Sequence, residues 1–122
     1  LNTFDIRVEA GTRWQLSMEY TDSNDVPVPL STHRAVMQVR RALGESSALL
    51  TLSSQNGRIT LNDAGEIFLE LDPVTTQGLP AGVFQYDLFL LITGDEDHPV
   101  RLVKGRFIVE PSVTRVTDFL GG

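Results

Sequence analysis

"GVFQYDLFLLITG", residues Gly82–Gly94, is the longest apolar run of the chain, and it carries a carboxylate, Asp87, near its middle. Side chains alternate between the two faces of a strand. Read so, the run sets Phe84, Tyr86, Leu88, Leu90 and Ile92 on one face and Gln85, Asp87, Phe89 and Leu91 on the other. Asp87 then belongs to the outer surface of a sheet. A catalytic role would need a partner acid, base or metal ligand, and none is evident in the sequence. An outward Asp on a central strand meets a cross-strand cation, a pairing that contributes about 0.2–1 kcal/mol. Arg40 is the expected partner in a structural ion pair, with Lys104 and Arg106 as alternatives.

The same period of two runs through the chain. "TRWQLSMEY" sets Trp14, Leu16, Met18 and Tyr20 against Arg13, Gln15, Ser17 and Glu19, and "EIFLEL" turns Ile67, Leu69 and Leu71 inward while Glu66, Phe68 and Glu70 point out. Further strands are read at "FDIRVE" from Phe4, "AVMQVRR" from Ala35, "ALLTL" from Ala48, "RITL" from Arg58 and "RLVKGRFIVE" from Arg101. Turn chemistry separates them: "DSNDVPVP" from Asp22, "QNG" from Gln55, "NDAG" from Asn62 and "GDEDHP" from Gly94. Such spacing predicts an all-β fold, an immunoglobulin-like antiparallel β-sandwich of about 7–8 strands.

Two segments carry helical signals. "DPVTTQGLP" predicts one short helical turn near Pro73–Gly78, with Asp72 as N-cap and Pro73 at the first helical position. "HRAVMQVRRALG" also fits a helix, since Val36, Val39, Arg40 and Leu43 recur at helical spacing and Gly44 would cap its end. The β-branched valines and the all-β surroundings favour a strand through about Arg41. One sandwich domain over 1–110 and a C-terminal tail over 111–122 is the expected partition. The tail, "PSVTRVTDFLGG", carries Phe119 and Leu120 in a polar context and is expected to fold back on the domain or dock on a neighbour.

Composition narrows the function. With 122 residues, 41% hydrophobic and 21% charged, the chain is long enough for a single core and has the balance of a soluble globule. It has no cysteine, which removes disulfides, thiolate metal sites and a Cys nucleophile. Sixteen acidic residues against ten basic ones give a net charge of −6, which repels a phosphate backbone, so no nucleic-acid partner is expected. No apolar stretch approaches the roughly 20 residues that span a bilayer, and "LNTFDIRVEAG" lacks the segments of a signal peptide. Neither membrane insertion nor export is expected.

The sequence carries no recognisable catalytic or metal motif. His33 and His98 each stand in loop sequence without a second ligand at metal spacing, and there is no G-x-S-x-G elbow and no phosphate-binding glycine loop. No enzyme and no cofactor is expected. The acidic loops "DSND", with Asp22, Asn24 and Asp25, and "DED", with Asp95 and Asp97, would meet at one pole of an immunoglobulin-like sandwich. Their oxygens form a candidate Ca²⁺ set for an adhesion or carbohydrate-binding module, the alternative reading. Phe68, Phe89 and Leu91 put apolar surface where alternation assigns water, which marks them as partner contacts.

The order of features resembles the small β-sandwich domains of tailed-phage baseplate and tail-adaptor proteins, the N-terminal domains of upper baseplate proteins among them. The likeness is carried by "GTRWQLSMEYTDSNDVPVPL", "VMQVR", "GEIFLEL", "LPAGVFQYDLFL" and "RLVKGRFIVEPSVTR", from Gly11 to Arg115. It implies a non-enzymatic virion structural protein, assembled in the host cytoplasm and present in several copies around the tail axis. Its partners would be other phage structural proteins and copies of itself, in a baseplate, tail or neck position. Phe68, Phe89 and Leu91 would serve a face contact, and Phe119 and Leu120 tail docking. Lacking the long helical or fibre extension of those proteins, the chain would be a free-standing adaptor.

Overall fold

The structure, a computed structural model, describes residues 2–42 and 44–114. Period-two alternation becomes two facing sheets. The strands are β1 (Asn2–Thr3), β2 (Ile6–Glu9), β3 (Trp14–Glu19), β4 (His33–Arg40), β5 (Leu50–Ser53), β6 (Ile59–Leu61), β7 (Glu66–Leu71), β8 (Gly82–Ile92) and β9 (Asp95–Glu110), with one helix, α1 (Pro73–Gln77). The large sheet runs β1-β9-β8-β4-β5, with β2 also on β9, and the small sheet runs β3-β7-β6. This is the immunoglobulin-like order: β3, β7 and β6 take the B, E and D places, β4, β8 and β9 take C, F and G, and β5 is added beside β4.

The expected all-antiparallel arrangement needs one correction. β1 and β2 pair with β9 in parallel, Ile6 opposite Phe107 and Glu9 opposite Glu110. Both ends of the sandwich's sequence thus meet on one strand, and β1 adds a two-residue ninth strand to the expected count. Among the described residues, the edge of β3 away from β7 has no paired strand.

The core follows the alternation. Leu69, Leu71 and Ile67 from the small sheet face Met37, Val39, Phe84, Leu88 and Phe107 from the large one, all buried. Trp14 packs edge-on against the Phe107 ring, centroids 6.2 Å apart. Residues 33–40 form a strand and not a helix: Ala35, Met37 and Val39 are buried at every second position, a period a helix cannot present to one core. Ile92 departs from its expected inward place and is exposed, because β8 outruns the core at that end.

Helix α1 forms as its capping chemistry dictates. The Asp72 carboxylate accepts from the Thr75 N–H at 2.7 Å, and this hydrogen bonding holds its pKa below the ordinary 3.8. Thr76, fully buried, ties the turn to the β2–β3 connection: its Oγ1 accepts from the Gly11 N–H at 3.1 Å and donates to the Thr12 carbonyl at 2.7 Å.

Candidate functional site

The outward residues of β4, β8 and β9 build a continuous surface on the large sheet. Pairing register sets them in rows across neighbouring strands: Arg40, Gln85, Arg106; then Gln38, Asp87, Lys104; then Val36, Phe89, Arg101; then Arg34 beside Leu91. Adjacent strands lie about 4.8 Å apart, so Arg40 and Arg106 straddle Gln85 with their backbones roughly 10 Å apart. A shallow cavity of about 630 Å³ lies over the first two rows and Arg101, lined by Arg40, Arg101, Lys104 and Arg106 together with Asp5 and Asp87. Four cations against two carboxylates make this a cationic surface on a chain whose net charge is −6.

The expected Arg40–Asp87 pair is not formed. Register places Gln38, not Arg40, opposite Asp87, and the Arg40 guanidinium donates to Gln38 Oε1 at 2.6 Å and to the Glu45 carbonyl at 3.0 Å. Asp87 instead meets Arg101 at 3.7 Å. The cause is an irregularity between Leu88 and Phe89 that shifts the β9 register, so that Arg101 stands opposite Phe89 and diagonal to Asp87. Both partners are more than a third exposed, and a contact this loose contributes near the low end of surface pairs. Of the alternatives, Lys104 lies directly opposite Asp87, while Arg106 is committed elsewhere.

Arg106 and Asp5 are joined by three hydrogen bonds. Arg106 Nη2 donates to Asp5 Oδ2 at 2.7 Å, Nε to the same oxygen at 3.2 Å, and the Arg106 N–H to Oδ1 at 3.0 Å. These bonds hold the Asp5 carboxyl below its ordinary pKa and push that of Arg106 up. Beneath them, the Tyr86 hydroxyl donates to the Phe4 carbonyl at 2.5 Å. Burial, assisted by the nearby Asp5 charge, pushes its pKa up to about 12, so it remains a donor at physiological pH. Gly105, opposite Tyr86, makes the approach feasible: a Cβ there would stand 2.1 Å from the Phe4 carbonyl oxygen. Sequence reading missed this seam, although a glycine inside the strand pattern "RLVKGRFIVE" is a signal of close backbone approach.

The remaining candidate residues gather only in part at this surface. Phe89 and Leu91 lie on it, both half-buried, with Val36 beside Phe89. Phe68 stands on the outer face of the small sheet, opposite Ser17 and Thr60, and is 40% exposed. Phe119 and Leu120 lie outside the described residues.

The calcium set does not assemble. Asp22 Oδ1 accepts from the N–H groups of Asn24 and Val26, which closes a local turn in which Asp25 takes φ 60°. "DED" is no loop: it opens strand β9, where Asp95 meets His98 at 2.8 Å and Glu96 meets Arg34 at 3.1 Å. Asp22, Asn24, Asp25, Asp95 and Asp97 are therefore used singly or stand apart. Among the described residues, no three His, Cys, Asp or Glu come together to hold a metal ion. No protein-family model matches this sequence, and no curated protein matches it.

Proposed function

We propose that the chain is a non-enzymatic assembly module of a tailed-phage particle, serving in a baseplate, tail or neck position, and that the outer face of its large sheet is a contact surface. One observation carries the contact: Val36, Phe89 and Leu91 form a half-buried apolar strip beside a cationic band. Aromatic residues and arginine are the types enriched where proteins meet, whereas a face meant only for water has no use for adjoining apolar side chains. The assignment to a phage particle rests on the resemblance carried by "GVFQYDLFL" and "GRFIVEPSVTR".

Phe89→Asp tests the reading. The side chain lies outside the core, so the variant is expected to fold with an unchanged circular dichroism spectrum yet to be depleted several-fold from assembled particles. Incorporation at the level of the parent chain would remove this face from the contact.

A further inference from the structure

Resting on the assembly reading above, we propose that the cationic face of the large sheet docks a second copy of this chain, taking the acidic end of that copy's small sheet, so that copies join head to tail. The face carries Arg40, Arg101, Lys104 and Arg106 against only Asp5 and Asp87. Since the whole chain is at −6, the complementary charge lies elsewhere on the same molecule.

A group of carboxylates lies at the β6–β7 end of the small sheet. Glu19 stands directly opposite Glu66 in the β3–β7 register, a like-charge placement that costs stability in an isolated sheet. The Asn62–Gly65 turn carries Asp63 beside them, and the Tyr20 N–H donates to the Gly65 carbonyl at 2.7 Å, which brings the Asp22 turn to the same end. Gly65 is fixed in that junction: it has φ 76°, and a Cβ would stand 2.7 Å from the Tyr20 carbonyl oxygen. The hydrogen bonds to these carboxylates come from neutral groups. Glu66 accepts from Asn62 Nδ2, Asp63 from the Ser31 N–H and Asp22 from two backbone N–H groups.

Symmetry then restricts how copies meet. A two-fold contact made through one of these surfaces alone would set it against itself and bring like charges together, and because the two surfaces lie on the outer faces of opposite sheets, one two-fold contact does not bring both into play. Apposing the cationic face of one copy with the acidic end of the next avoids this, and each copy keeps one surface of each sign for further growth into a ring or a filament. Such an interface is sensitive to salt, because exposed charges are screened beyond about 30 Å at about 10 mM salt but beyond only about 3 Å at about 1 M.

Light scattering on the full chain tests this. At about 10 mM salt the parent chain is expected to have at least twice the mass of one copy, and to fall to one copy at about 1 M. Arg101→Gln with Lys104→Gln, and separately Glu19→Gln with Glu66→Gln, each leave one surface intact and are expected to be monomeric alone. Mixed in equal amounts, the two variants should form a capped pair that grows no further. A parent chain that is monomeric at low salt, a variant that associates like the parent, or a mixture that remains unpaired would each overturn the proposal. Thermal melts of both variants verify that they fold. Incorporation of Phe89→Asp into particles reports contact with any neighbour, so a monomeric parent chain leaves the broader assembly reading standing.

Discussion

The two outer faces of this sandwich are built by the same alternation and carry opposite contents. On the large sheet, outward positions hold cations, an apolar strip and a polar seam that locks the N-terminal strands to β9. On the small sheet they hold an Arg13–Glu70 pair at 2.6 Å, the lone exposed ring of Phe68 and two glutamates set against each other. Inward residues are constrained alike on both sheets, because one dry core accepts only apolar side chains. Outward residues are released from that demand, and there the two sheets diverge.

The seam offers the strongest way to break this asymmetry. Gly105→Ala would drive a methyl group into the Phe4 carbonyl, and relieving the clash must displace β1 from β9. The expected loss is about 2–3 kcal/mol, the size of an overpacked core, readable in urea unfolding. Unchanged stability would mean that the Phe4 backbone is not held against β9. Tyr86→Phe removes only the hydroxyl that donates to Phe4, and about 0.5–1.5 kcal/mol should go with it, with hydrogen exchange accelerated in β1 and β2 before the small sheet.

The smallest effect is a matter of pH. Asp5 has a folded-state pKa below 3.8, lowered first by its hydrogen bonds from Arg106. Its contribution is fully present above that ordinary value and is lost as pH falls below 3.8 through the depressed one. Asp5→Asn should therefore melt slightly below the parent chain at neutral pH, with the gap closing in strong acid. A gap that persists unchanged in acid would mean that the Asp5 charge is not what stabilises the seam.

Legibility in the sequence tracked the distance over which each signal acts. Trp14, Leu16 and Met18, or Ile67, Leu69 and Leu71, announce a buried face within six residues, because the pleat repeats every two. Asp72 and Pro73 announce α1 because capping is equally local. The parallel placement of β2 on β9 joins residues about a hundred positions apart and leaves no trace in the pattern of either segment. The same holds for the partner of Asp87: the β4–β8 register sets Gln38 opposite it in place of Arg40, and a register irregularity in β9 near Phe89 brings Arg101 within reach. The expected calcium set does not come together among the described residues, on geometry that composition does not contain: Asp22 is engaged by its own turn, and Asp95 lies in a strand.

The parallel docking of β2 on β9 also determines how the domain bears load. A pull applied upstream of Ile6 and downstream of Glu110 acts along two strands that run the same way, so it slides one past the other. Every backbone bond between them resists together, whereas a hairpin peeled from its open end yields one bond at a time. A module gripped at these two ends transmits tension through bonds loaded side by side.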